Sequence, residues 1–209
     1  MWGQVQSHNK QSVSLDLKDP AARDIVRQWI AAVDVLAENF KPGVREDRGP
    51  GDEGWSASNA GLIMLRISGC GQTGPYEDRL GFGVVVEAMG GLRHLPAEPG
   101  RVPVGVGVGV GVSIGDTLAS LHGVIGILMA LQHRHVSVSA SAPKGCGQVI
   151  DVALYEAVFN CMESLLREYS AFGAVRCGAV REPAGRLGVA RYRAHQRLPV
   201  RRWRGAGGR

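Results

Sequence analysis

Apolar residues in this chain follow two rhythms, one helical and one extended, and the alternation between them predicts the architecture. Ile25, Val26, Trp29, Ile30 and Val33 recur at helical spacing, which predicts a helix with one apolar face. Asp19-Pro20 supplies its start, with aspartate as the N-cap and proline at the first helical position, where a missing N–H costs nothing. The short apolar run Val33–Ala37 follows, and Pro42-Gly43 marks a turn. Residues 44–61 are polar and glycine-rich and read as a loop. Leu62–Ser68 (LIMLRIS) is a strongly apolar strand that runs straight into GCGQTGPY at 69–76. A strand feeding a glycine-rich loop is where α/β proteins build binding sites.

Further along, Gly83–Leu92 fits a helix closed by Gly90-Gly91. Asp116 opens a second helical segment, with Leu118, Leu121, Val124, Ile125, Leu128 and Leu131 on the 3.6-residue period. Ser137–Ala142 reads as a loop, Gln148–Val152 as a short strand, and Ala153–Glu168 as one more amphipathic helix. Strands alternating with helices predict an α/β domain with a mainly parallel sheet.

The stretch RVPVGVGVGVGVSIGDT (101–117) breaks this rhythm with glycine at every second position. Its spacing does not satisfy GxGxxG, and no Gly-Lys-Ser/Thr follows, so it is not a P-loop. Asp116 at its end has two readings. As an N-cap its carboxylate accepts a backbone N–H from the following turn. As a nucleophile it is presented at a helix start after a glycine, where a backbone can come close to a substrate.

Composition narrows the class. Of 209 residues 44% are apolar and 21% charged, the balance of a soluble globular domain. No apolar run reaches the roughly 18–20 residues of a membrane span, so no membrane partner is expected. The opening MWGQVQSHNKQS lacks a basic segment followed by an apolar run, so no secretory signal is expected. Cys70, Cys146, Cys161 and Cys177 are scattered without a CxxC pair, which argues against a metal site and for reduced intracellular thiols. The net charge of +5 belongs to one end. Residues 1–175 carry 14 Lys/Arg against 18 Asp/Glu, whereas 176–209 carry 10 arginines and one acid, Glu182. That tail has no helical or strand period. Its Arg, Gly and Ala content is what out-of-frame translation of GC-rich DNA gives, and the frame is expected to be lost near Arg186.

Five segments taken in order give a family resemblance: HNKQSVSLDLKDP (8–20), DVLAENFKPG (34–43), LIMLRISGCGQTGPYEDRLGFG (62–83), GVSIGDTLASLHGVIGILMAL (111–131) and GQVIDVALYEAVFN (147–160). Together they resemble the class III CoA-transferases, also called the CaiB/BaiF or formyl-CoA transferase family. The resemblance implies an α/β, Rossmann-like fold, a mainly parallel sheet with flanking helices. Residues 1–175 would be part of that family's large domain and 176–209 an irregular tail. It also implies transfer of CoA from an acyl-CoA to a free carboxylic acid, with no permanently bound cofactor and coenzyme A entering as substrate. Asp116 matches the family's nucleophile, which forms first an anhydride with the acyl group and then a thioester with CoA. Lys10, Leu15, Lys18 and Asn39 match positions that contact CoA, and Gly69, Gly71, Gln72 and Gly74 match the loop at the mouth of the site. Without the resemblance, Lys10 and Lys18 read as solvated surface charge. His94 and His122 receive no role.

The family's pattern includes a first strand and turn ahead of the matching region and a small domain after it. Neither is expected in these residues, and the glycine–valine ladder is longer than the family's usual lead-in to the aspartate. Intact members form interlocked homodimers, which this stretch alone would not close. The expected compartment is the cytoplasm, or the mitochondrion in a eukaryote. Two alternatives stand beside this reading. One is an acyl-CoA racemase or isomerase of the same superfamily. The other is a non-enzymatic fragment whose arginine tail binds nucleic acid through charge, although the tail carries no stacking pattern.

Overall fold

The computed structural model describes residues 2–43, 52–93 and 113–173. The ladder from 101 to 112, His94, Cys177 and the arginine tail lie outside the described residues. Three strands, β1 (Val35–Glu38), β2 (Ile63–Ser68) and β3 (Gln148–Ala153), form a parallel sheet in the order β1-β2-β3. The registers pair Glu38 with Arg66 and Ser68 with Ala153. The expected α/β fold with a parallel sheet is therefore present.

Helices cover both faces of β2, which is why its sequence reads as a continuous apolar run. On one face lie α2 (Pro20–Ala32) and α3 (Asp52–Ser58), packed through Ile30, Trp55, Leu62 and Met64 with Val26 and Leu36 beside them. On the other face lie α4 (Gly83–Met89), α5 (Ile114–Val136) and α6 (Leu154–Phe159) around Leu65, Val86, Ala119, Val152, Leu154 and Ala157. A short α1 (Trp2–Gln6) precedes them, and α7 (Leu165–Phe172) closes the described part. Asp19 caps α2 as the sequence predicts, its carboxylate accepting the Ala21 N–H at 2.9 Å.

Three expectations are corrected. Residues 44–61 are not wholly loop, because α3 forms at 52–58. Trp55 explains it: a single large apolar side chain is buried under α2, and a helix places it there while leaving its polar neighbours in water. The segment 153–168 is not one helix either. It breaks after the 3₁₀ turn Asn160–Met162, at Glu163, whose φ is 49°. Met162 is buried against Gly91 there, and Ser164 Oγ donates to Glu168 Oε1 at 2.7 Å where α7 begins.

The packing of α5 rests on its small residues. Its large apolar residues Leu121, Val124, Ile125 and Leu128 face away from the sheet, each more than half exposed. The buried side consists of Gly115, Ala119, Gly123 and Ala130. A methyl at Gly123 would lie 2.8 Å from Leu65 Cδ2, and one at Gly126 would lie 2.9 Å from Ile150 Cγ2. The helix can lie this close to β2 and β3 only because those positions have no side chain. The third correction comes from the same helix. By length and composition α5 is long and apolar enough to cross a membrane, contrary to the sequence expectation, since its few polar residues do not lower the average enough. In the fold it is a sheet-packing helix.

At the amino edge of the sheet, Arg134 near the end of α5 ties these parts together. Its guanidinium donates to the Gly61 carbonyl at 3.0 Å and to Asp34 Oδ1 at 2.9 Å. The start of α5 therefore lies at the opposite, carboxyl edge of the strands.

The two sides of α5 predict opposite responses to mutation. Gly123→Leu is expected to destabilise the chain by about 1–3 kcal/mol through overpacking. Leu128→Gln on the outer side is expected to stay within about 0.5 kcal/mol of the parent. Urea unfolding followed by circular dichroism checks both values, and equal costs would mean that α5 is packed the other way round.

Candidate functional site

All three strands end at the same edge, at Glu38, Ser68 and Ala153. In open parallel sheets that edge is where ligands bind, because the loops leaving it converge. Glu38 is fixed there by Arg66, whose Nε lies 2.8 Å from Glu38 Oε1, with both side chains almost fully buried. Its second oxygen, Oε2, accepts the Phe40 N–H at 2.7 Å, which holds the chain around Asn39 at the edge. Asn39 itself is exposed.

The loop after β2 turns back over this edge. Gly71 and Gly74 have φ values of 86° and 102°, in the left-handed region that glycine occupies without penalty. The loop is tied at two points, to the first turn of α6 and to β3. The Tyr155 N–H points to the Gly69 carbonyl at 3.4 Å, and the Gln72 N–H donates to Asp151 Oδ2 at 2.8 Å. Cys70 is buried beneath it. Two donors in this region, Ser68 Oγ and Gln72 Nε2, are buried and have no partner among the described residues. A buried donor left in that state costs about 1–3 kcal/mol, which a ligand acceptor would recover. Tyr155 lies close by. Its hydrogen bond to Glu156 at 3.1 Å, followed by burial and by the charge of Glu156, holds its phenol above the ordinary range.

Asp116 reaches the same edge from the other side. It lies in the first turn of α5, not at the N-cap, because the helix begins at Ile114 and Ser113 is the capping residue. The N-cap reading of Asp116 is thereby overturned. The Ser113 carbonyl accepts the Thr117 N–H, so the helical ladder already spans Asp116. The Asp116 carboxylate is exposed and accepts no hydrogen bond among the described residues, and it stands at the positive end of a 23-residue helix.

Glycines join Asp116 to the loop. A methyl at Gly69 would lie 2.3 Å from Gly81 Cα, so the two backbones touch. Two residues later, a methyl at Gly83 would lie 3.8 Å from Asp116 Oδ2. Gly115 faces Val86 and Val158, which presses the start of α5 against α4 and α6. Gly69, Gly71, Gln72 and Asp116 thus meet at one edge through the segment 81–83.

The remaining expected site residues are not joined to this cluster. Lys10 is exposed and its Nζ donates to the Gln6 carbonyl within its own turn. Lys18 is exposed, with its backbone N–H held by Asp16 Oδ1 at 2.9 Å, and Leu15 is half-buried. Sequence reasoning missed Gly81, whose role shows only in its contact with Gly69, and the Glu38–Arg66 pair. A charge in each of two neighbouring apolar strands was the available signal for that pair.

Comparison with known proteins gives a consistent picture. The family model for CoA-transferase family III matches residues 1–196. The succinyl-CoA–D-citramalate CoA-transferase of Chloroflexus aurantiacus is 43% identical over 176 residues, covering 84% of this chain and 41% of that protein. The formyl-CoA:oxalate CoA-transferase of Afipia carboxidovorans is 34% identical over 178 residues, covering 80% of this chain and 39% of that protein. Among solved structures, a CaiB/BaiF family protein from Brucella suis superposes with a TM-score of 0.71 at 34% identity, over 80% of this chain and 42% of that one. The chain spans about two fifths of the length of the curated relatives it matches.

The Gly69–Gly81 contact makes a prediction. Gly69→Ala and Gly81→Ala are each expected to cost about 1–3 kcal/mol in urea unfolding, because neither backbone can yield without moving the loop. Gly3→Ala, where a methyl meets nothing within 4 Å, serves as the control and is expected to lose no stability. Two alanine variants as stable as the parent would show that the backbones do not meet.

Proposed function

The chain belongs to CoA-transferase family III, and we propose that the site headed by Asp116 transfers coenzyme A from an acyl-CoA to a free carboxylic acid. One observation carries the reading. Asp116 presents a carboxylate without a hydrogen-bond partner among the described residues, at the strand edge where the glycine loop also arrives. A carboxylate engaged as a helix cap would have to break its bonds before attacking, and no described residue engages this one.

In the proposed reaction an Asp116 oxygen attacks the thioester carbonyl of the donor. The C–S bond breaks and CoA leaves as a thiolate, giving an anhydride between Asp116 and the acyl group. The thiolate then attacks the Asp116 carbonyl, releasing the donor's carboxylate and leaving an aspartyl-CoA thioester. The acceptor carboxylate attacks that thioester and displaces the thiolate again. The thiolate finally takes the acceptor's acyl carbon, which frees Asp116. Every intermediate is a high-energy acyl compound, so little free energy is lost between steps, and water must be kept out of the site.

In this account Gly69, Gly71, Gln72 and Gly74 line the acyl end. Gln72 Nε2, buried and without a partner among the described residues, supports this as a donor suited to a substrate carbonyl or carboxylate. Lys10, Leu15, Lys18 and Asn39 hold the CoA, the lysines acting as point charges toward its phosphates. The Chloroflexus relatives are named for succinyl-CoA with citramalate or malate, which makes succinyl-CoA the donor to test first. Two of them are named as alpha and beta subunits of one transferase, which supports an enzyme built from more than one chain.

The test uses succinyl-CoA followed by hydroxylamine, with the digest read by mass spectrometry. The parent chain is expected to yield a hydroxamate at Asp116. Asp116→Asn is expected to lower the yield about a thousandfold, since the remaining site cannot form the covalent intermediate. An adduct that persists in Asp116→Asn, or that maps elsewhere, would overturn the assignment.

A further inference from the structure

We infer that Asp151, on β3, is a positioning residue for the Gly69–Gly74 loop, and through it for the acyl group presented to Asp116. The second half of this statement rests on the transferase reading; the first does not. Aspartate is a poor choice for the middle of a strand, and here it stands between Ile150 and Val152. It contributes nothing to the core, because its side chain is exposed. Its Oδ2 instead accepts the Gln72 N–H at 2.8 Å, across 79 residues of sequence. The same oxygen lies 3.5 Å from where a methyl on Gly71 would stand, and Gly71 is at a φ of 86°. The left-handed turn at Gly71 thus passes directly over the carboxylate, and the next amide is bonded to it.

The register explains how that carboxylate is set. Glu38 pairs with Arg66 on β2, and Arg66 pairs with Asp151 on β3. The three side chains leave the sheet in one row on one face, acid, base and acid. Arg66 is buried and bonded to Glu38, so a fixed positive charge stands between the two carboxylates. A charge-assisted bond to a backbone N–H is stronger than a neutral one. It holds the loop at Gln72, while the contact with Gly81 holds it at Gly69. Both anchors lie within the loop that the transferase reading places at the acyl group. Loss of the Gln72 anchor therefore acts on the orientation of the acyl group and not on CoA affinity.

The experiment compares the parent chain with Asp151→Ala and Asp151→Asn. The asparagine keeps an oxygen acceptor, and the alanine does not. By hydrogen exchange, the Gln72 amide is expected to be protected in the parent and about tenfold less protected in Asp151→Ala, with β2 amides unchanged. Asp151→Asn is expected to restore most of that protection. With succinyl-CoA and hydroxylamine, the Asp116 trapping rate at saturation is expected to fall about tenfold in Asp151→Ala, with the half-saturating concentration within about threefold of the parent. An unprotected Gln72 amide in the parent would overturn the proposal. So would an alanine variant that matches the parent in the exchange of Gln72, or a loss of β2 protection in both variants, which would make Asp151 a folding residue. If the parent forms no Asp116 adduct, the transferase reading fails, and the Gln72 exchange still decides the role of Asp151.

Discussion

The contact between Gly69 and Gly81 is the constraint on which the carboxyl edge of the sheet depends. A methyl on either residue would lie within 2.3 Å of the other's Cα. That closeness brings the loop leaving β2 against the segment that enters α4. The same segment carries Gly83, which stands beside Asp116. Remove the contact and the loop and the aspartate become features of two separate elements. Interiors are close-packed and transmit strain, so the fit is not adjustable by small shifts.

The same device recurs along α5. Gly115, Ala119, Gly123 and Ala130 give the helix a thin side that lies against β2, β3, α4 and α6. Close approach of that helix fixes where its first turn ends up, and with it Asp116. At the other end Arg134 is bonded to Gly61 and Asp34, so the helix is held at both edges of the sheet. The buried Glu38–Arg66 pair works differently. It does little for net stability, since desolvation offsets most of its attraction, yet losing one partner would cost about 3–5 kcal/mol. Its contribution is to fix the ends of β1 and β2 in register, and so the exits of the loops.

Much of this was legible in the sequence. LIMLRIS announced the strand β2, Asp19-Pro20 announced the start of α2, and the glycines after β2 announced the loop that turns back over the carboxyl edge. The periodicity of α5 identified the helix but could not tell which of its sides would meet the sheet. Periodicity reports that large apolar residues share a face; it does not report that the sheet prefers the small ones. Trp55 was lost for the converse reason, since a single buried aromatic in a polar stretch sets up no period. Read as a cap, Asp116 was misplaced by three positions, since Ser113 caps α5. The joining contacts, Gly69 with Gly81, Gly83 with Asp116 and Gln72 with Asp151, link positions that no local pattern relates.

Asp116 stands at the centre of the proposed chemistry, and the oxygen atoms of that side chain would keep a record of it. If an acceptor acid attacks an aspartyl-CoA thioester and leaves as the new acyl-CoA, it must leave one of its oxygens on the aspartate. Succinate labelled with heavy oxygen in its carboxylates, incubated with succinyl-CoA and the protein, is predicted to label the peptide containing Asp116. Fragmentation would assign the label to that side chain. An Asp116 carboxylate that stays unlabelled, whether or not CoA is transferred, would contradict the account.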